Sequence, residues 1–212
     1  LGNAGGSSFD IWMQRFDNAG TRLGGEVLVS TNPGLTTAQT GNQQLPDVAA
    51  HANGDLVIVW QDESSQDGNG YGVYARTYDA SAGTFGSTFL VNSVTSGNQY
   101  EARVATLANG GFVVVWGDSS AVDGSGWGTY ARRYDAAGVA QGNAFLVNEN
   151  TSGSQYQPTV TGLSTGGFVI SFYNDANPDG LGDADVWIRE YDALGNVKDG
   201  DQRVNTVTAS AQ

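Results

Sequence analysis

Residues 99–148 read QYEARVATLANGGFVVVWGDSSAVDGSGWGTYARRYDAAGVAQGNAFLVN, and the chain writes this passage again on either side. Trp60, Trp116 and Phe172 stand 56 residues apart, as do Asp67, Asp123 and Asp179, and Gln43, Gln99 and Gln155. Asn92 and Asn148 keep the interval, and Asn205 follows after 57. A fixed period of this length marks a repeat architecture in which each copy is one supersecondary unit.

Three full units cover 43–92, 99–148 and 155–205, and a half-unit covers 9–30, all within a single repeat domain spanning 1–212. Each full unit carries four strand signals. The first is short and alternating (Asp47 to His51, Arg103 to Leu107, Thr159 to Leu163) and ends in a turn, twice marked by Asn-Gly. Asn-Gly between apolar runs is a strong hairpin signal. The second strand (Leu56 to Trp60, Phe112 to Trp116, Phe168 to Phe172) is apolar on both faces, as a strand buried from both sides must be. An acidic, glycine-rich loop follows, then an alternating third strand and a short fourth. Four antiparallel strands per unit with the second enclosed is the sequence form of a propeller blade. The expectation is therefore an all-β, β-propeller-like array of about three and a half blades with fourteen strands. A β-trefoil-like fold and an open repeat array are the alternatives.

The half-unit aligns with the second half of a blade: DIWMQRFD at 10–17 matches GVYARTYD at 72–79 and DVWIREYD at 185–192. It has third and fourth strands but no first or second, so its inner edge is expected to be bare. Gln212 falls one period plus one after Gln155, where another first strand would begin. Both features lead to the expectation of a longer native chain, with further repeats or head-to-tail self-association covering the edge.

Composition narrows the function. The net charge is −13, and the nine basic residues are scattered, which argues against nucleic acid. No apolar run approaches the roughly 20 residues of a membrane-spanning helix, so no membrane insertion is expected. Cysteine is absent and histidine occurs once, at His51, so no Cys/His zinc site can be assembled.

Three sets of residues are candidates for binding. Tyr71 and Trp127, at the ends of acidic loops, are placed to stack on a sugar ring. On the third strands, Tyr74, Arg76 and Tyr78 recur as Tyr130, Arg132 and Tyr134 and as Trp187, Arg189 and Tyr191. An arginine between two aromatics can stack on them and calls for a carboxylate, for which Asp62 and Asp118 are candidates. The stripe reads either as glue between blades or as an aromatic–arginine platform for a glycan. The third set is the acidic loops. Asp62 and Asp67, Asp118 and Asp123, and Asp175, Asp179, Asp183 and Asp185 offer carboxylates beside glycine-rich backbone, as calcium requires. Asp175 is expected to play in the third copy the part of Asp62 and Asp118. The alternative is that Asp-Gly simply makes the turn. Because the same carboxylates recur in each unit, turn chemistry is favoured over a unique active site.

The pattern P-x-V-A-x-L-x-x-G-G-F-V-V-V-W, then D-G-x-G-x-x-x-Y-A-R-R-Y-D, then F-L-V-N, resembles repeats of large secreted bacterial proteins of the haemolysin-type calcium-binding class. Residues 103–116 and 130–135 carry the resemblance best. It implies type I secretion to an extracellular or cell-surface setting, beside adhesion, lectin-like or enzymatic modules. The G-G-x-G-x-D nonapeptide that binds calcium in that class is absent, so its calcium mechanism does not carry over. The reading that results is a non-catalytic extracellular module binding glycan or cell-surface polysaccharide in a lectin-like or adhesive manner, with calcium as candidate cofactor. A structural spacer or filament-forming unit, and a glycoside-active hydrolase fragment, are the alternatives.

The absence of any 3.6-residue apolar period predicts a helical fraction far below the globular average of about a third. Circular dichroism is expected to place it under about a quarter, and a higher value overturns the all-β reading.

Overall fold

The computed structural model describes residues 9–31, 40–176 and 184–206. Leu1–Ser8, most of the loop after the half-unit, Asp179, Asp183 and Gln212 lie outside them. The half-unit folds as β1 (Trp12–Phe16) and β2 (Arg22–Leu28). The first full unit gives β3 (Gln43–Ala50), β4 (Leu56–Asp62), β5 (Gly72–Asp79), β6 (Thr84–Phe85) and β7 (Phe89–Leu90). The second gives β8 (Gln99–Thr106), β9 (Phe112–Asp118), β10 (Gly128–Tyr134) and β11 (Phe145–Leu146). The third gives β12 (Gln155–Gly162), β13 (Phe168–Asn174), β14 (Asp185–Tyr191) and β15 (Val197–Arg203).

Each full unit is one antiparallel sheet with strands in sequence order, and the described residues contain no helix. The sheets are propeller blades, neither trefoil units nor an open array of single strands. The described strands number fifteen where fourteen were expected. The extra one arises because the fourth-strand segment of the first unit pairs with β5 twice, as β6 opposite Tyr78 and Asp79 and as β7 opposite Tyr74 and Ala75.

Burial follows from where each sheet sits in the stack. β9, with a blade on each side, is buried along its whole length, and β4 nearly so. β13 alternates buried and half-exposed residues, because only one of its faces meets a described blade. Three apolar layers separate the sheets: one around Val29 and Trp60, one around Val59 and Trp116, and one around Val115 and Phe172. The half-unit is a two-stranded sheet, and Phe9 and Phe16 beside it are each 55% exposed.

Each first strand carries a β-bulge. Pairing slips between Gln44 and Asp47, between Tyr100 and Arg103, and between Tyr156 and Thr159. The bulged residues Leu45, Glu101 and Gln157 have φ of 48°, 56° and 50°, in the left-handed region. Bulges twist a strand and re-aim a side chain. The innermost strands also approach closely, since a Cβ on Gly162 would lie 2.2 Å from the Thr106 carbonyl oxygen.

Adjacent blades are locked by a buried amide. The Gln99 and Gln155 side chains are fully buried at blade starts. Asn92 Nδ2 donates to Gln99 Oε1 at 3.0 Å, and Asn148 Nδ2 to Gln155 Oε1 at 2.8 Å. The Asn Oδ1 atoms accept the N–H of Val73 and Thr129, and Asn205 does the same for Val186. Each Gln Nε2 donates in turn to a junction carbonyl, Ser96 or Ser152, and towards Asp118 or Asn174. At the half-unit junction the Asn is replaced by Ser30, whose Oγ accepts the N–H of Ile11 at 2.9 Å but has no amide to offer. Gln43 Oε1 is accordingly buried without a partner.

Removing one partner from a buried polar pair costs about 1–3 kcal/mol. Gln99→Ala and Gln155→Ala are each expected to lose that much in urea or thermal melts. Gln43→Ala is expected to lose less, because one of its bonds is already unmade. Equal losses at all three positions would show that the Asn–Gln bond contributes nothing to blade locking.

Candidate functional site

The recurring carboxylates make turns. Asp62 Oδ1 accepts the N–H of Ser64 at 2.6 Å and its Oδ2 the amide of Gln43 at 3.2 Å. Asp118 does the same for Ser120 and Gln99. The residue that takes their part in the third unit is Asn174, which accepts from Ala176 N–H and Gln155, and not Asp175 as expected. An uncharged amide therefore does the same work. Asp185, 2% exposed, binds Arg203 at 3.3 Å and Asn205 at 2.7 Å. Asp67 accepts from Asn69 N–H and Asn92, and Asp123 from Ser125 N–H. Asp62 with Asp67, and Asp118 with Asp123, act as pairs on Tyr74 and Tyr130. Burial first, then these carboxylates, pushes both phenols up, Tyr130 to about 12. Among the described residues no three His, Asp or Glu side chains gather as a metal site would require. The glycines of these loops serve close packing: a Cβ on Gly126 would sit 2.3 Å from the Gly153 carbonyl oxygen.

The aromatic–arginine stripe lies between blades. Arg76, Arg132 and Arg189 each donate from Nη1 to the carbonyl of Val29, Val91 or Val147 in the preceding blade, at 3.0, 3.1 and 2.6 Å. These carbonyls, and not Asp62 or Asp118, are their partners. Their guanidinium carbons lie 4.4, 5.7 and 6.0 Å from the rings of Phe85, Tyr134 and Tyr191. Arg189 adds ion pairs to Glu149 and Asp201. Tyr74 is buried, and Tyr130 and Trp187 are half-buried.

Tyr71 and Trp127 stand where the acidic loops meet the next blade. Their carbonyls accept the N–H of Gln99 and Gln155. The Tyr100 ring packs against both, 5.2 Å from Tyr71 and 5.0 Å from Trp127, lying within 15° of parallel to the indole. Beyond Trp127 opens a cleft of about 320 Å³ lined by Glu101, Trp127, Ser154, Tyr156 and Asp175. Tyr100 thus covers one face of the indole while Trp127 itself faces the cleft.

Two carboxylates meet there. Glu101 sits on the β8 bulge, and its Oε2 accepts the N–H of Gln157 at 3.0 Å. Asp175 follows β13 directly, and its Oδ1 accepts a short bond from the N–H of Ser154. Tyr156 lines the same cleft. Burial foremost, then Asp175, Tyr173 and Glu101, pushes its phenol above the ordinary value. Of these residues only Trp127 and Asp175 were singled out from the sequence. Glu101 and Tyr156 were missed, yet a signal for Glu101 was present. The bulge positions hold Leu45, Glu101 and Gln157, so only the second copy has an acid there. The position of Asp175 holds Glu63 and Ser119 in the other copies, and in all three its side chain accepts from the junction residue, Asn42, Asn98 or Ser154.

No family model matches the sequence, and no curated protein does. Solved structures share its fold. A Hadza microbial sialidase aligns at a TM-score of 0.55 and 8% identity, over 77% of this chain and 37% of its own. An α-L-arabinofuranosidase of Fusarium graminearum, solved with an iminosugar inhibitor, aligns at 0.54 and 15%, over 89% and 51%. An endo-arabinase of Bacteroides thetaiotaomicron aligns at 0.50 and 14%, over 76% and 61%. The chain thus spans between about a third and three-fifths of the length of these neighbours. They are β-propeller glycosidases, and at such identities the likeness is one of fold. They correct two expectations. The resemblance to haemolysin-type repeats finds no support, since the shared V-V-V-W and Y-A-R-R-Y-D runs are buried blade and junction residues. The non-catalytic lectin-like, adhesive or spacer reading gives way as well, because these fold neighbours are named as glycoside-cleaving enzymes.

Burial dominates the environment of Asp62 and raises its carboxyl above the ordinary value, Ser64 and Gln43 opposing it and Asp67 adding to it. A raised value in the fold means that the charged form costs stability, and that the cost is relieved as pH falls through that value. Asp62→Asn, which copies Asn174, is expected to raise Tm by a few degrees at pH 7. The gain should fade as pH falls towards the ordinary carboxylate range. A loss of stability at pH 7 would show that the negative charge itself is needed.

Proposed function

We propose that this chain is part of a carbohydrate-active β-propeller that hydrolyses glycosidic bonds in an extracellular setting, with Glu101 and Asp175 as its reacting carboxylates. One observation carries the reading: two acids, Glu101 and Asp175, share a single cleft with a braced indole. Glycoside hydrolysis commonly uses two carboxyl groups flanking the scissile bond. One, protonated, gives its proton to the leaving oxygen, and the other, ionised, attacks the anomeric carbon or activates water. Each of the two accepts one backbone N–H, which fixes one of its oxygens. Trp127 supplies an apolar face against which the C–H side of a sugar ring packs, and the Tyr100 ring holds that face in place. Tyr156 offers a hydroxyl in the same cleft for a sugar hydroxyl. The glycoside-cleaving fold neighbours support the reading.

The test is release of reducing ends from a panel of arabinan, galactan, xylan and β-glucan oligosaccharides. Glu101→Gln and Asp175→Asn are each expected to lower kcat by about 10²–10⁴-fold, the usual share of a general acid or base. Trp127→Ala is expected to act mainly on KM. Variants that keep turnover within threefold of the parent, or a parent that cleaves nothing in the panel, would overturn the proposal.

A further inference from the structure

Resting on the assignment of the Glu101–Asp175 cleft as the sugar site, we infer that the cleft takes glycans free of carboxylate, sulfate or phosphate groups and turns acidic glycans away. Of its five lining residues two are acids and none is basic. An anionic sugar is held by a guanidinium, an ammonium or free backbone N–H groups, and no guanidinium or ammonium group lines this cleft.

The arginines Arg76, Arg132 and Arg189 are spent on carbonyls between blades. Arg133 donates to the carbonyl of Ala193 at 2.9 Å, and Arg103 to that of its neighbour Ala102 at 2.9 Å. Arg203 pairs with Asp185 and Lys198 with Glu190. Arg15 lies 5.1 Å from the Tyr78 ring on the half-unit side. The backbone N–H groups at the rim, those of Ser154 and Gln157, are given to Asp175 and Glu101 themselves. No basic residue lines the cleft, and the chain around it carries a net −13. A cleft lined with one sign of charge sets the potential met by whatever enters it. The cleft therefore specifies by rejection as well as by contact. Sugar hydroxyls gain acceptors from the carboxylates, whereas a sugar carboxylate meets two like charges and no cationic donor in the lining.

The experiment is binding of the intact chain to immobilised matched pairs: lactose against sialyllactose, and galacto-oligosaccharides against oligogalacturonides of equal length, at 0.05 M and 0.5 M NaCl. The neutral member of each pair is expected to bind at least tenfold better at low salt. The gap should narrow at high salt, because charges in a half-open cleft are screened over a few ångströms there. Glu101→Gln and Asp175→Asn, which keep the acceptor oxygens, are expected to narrow it at low salt as well. Equal or stronger binding of the acidic member at low salt overturns the charge selection and leaves the sugar site standing. A gap that neither salt nor these variants change overturns it too, since the discrimination then lies elsewhere. Binding to no member of either class overturns the selection and the sugar site together.

Discussion

A glutamine amide buried at the start of each blade holds this architecture in register. The apolar layers around Trp60, Trp116 and Phe172 supply the bulk of the attraction, but burial of apolar area is non-directional. A blade could slide within such a layer at little cost. The amides of Gln99 and Gln155 cannot slide, because their donor and acceptor ends each answer a particular partner, and an unanswered end in a dry interior costs about as much as a hydrogen bond is worth. The cleft is assembled from the immediate neighbours of this junction. Ser154 and Tyr156 flank Gln155, Asp175 follows Asn174, Glu101 lies two residues after Gln99, and Trp127 lends its carbonyl to the Gln155 N–H. The residues that lock the blades are thus the immediate neighbours of those that line the cleft.

The same geometry divides the acidic residues into two populations. Asp62, Asp118 and Asp185 are nearly inaccessible and spend their oxygens on N–H groups, amides or a guanidinium. Asp62 and Asp118 recur because the turn they close recurs, whereas Asp185 stands where the other units have Gly72 and Gly128. Glu101 and Asp175 remain accessible, and each spends one oxygen on the fold.

Repetition explains what was legible in the sequence. Blades, hairpin turns and buried second strands follow from period and pattern, since each repeats and each has a local cause: Asn-Gly at the turn, and apolar residues on both faces of Leu56–Trp60 and Phe112–Trp116. The work of the arginines was half legible. Their alternation with aromatics gave the face, but the partner carbonyls of Val29, Val91 and Val147 belong to backbone, which a side-chain pattern does not encode. Glu101 was half legible: its departure from Leu45 and Gln157 shows in the sequence, but its aim depends on a bulge, which shifts the pairing by one residue without any residue type that announces it. Tyr156 and Asp175 lie 55 and 74 positions beyond Glu101, and only the stacking of one blade on the next brings the three together.

The bulges have a consequence for how such a chain diversifies. At Leu45, Glu101 and Gln157 the backbone holds the same left-handed conformation, while the three side chains share no chemistry. A residue outside the ladder carries no obligation to a cross-strand neighbour, so a change there leaves the blade intact. After tandem duplication, these are the points at which copies can drift apart while the scaffold stays under selection. One copy can acquire an acid, another an amide, a third an alkyl group, each presented from an equivalent place at a blade rim. The repeat thus behaves as a rotary set of interchangeable sockets, in which a new chemistry needs a single codon and no redesign of the frame.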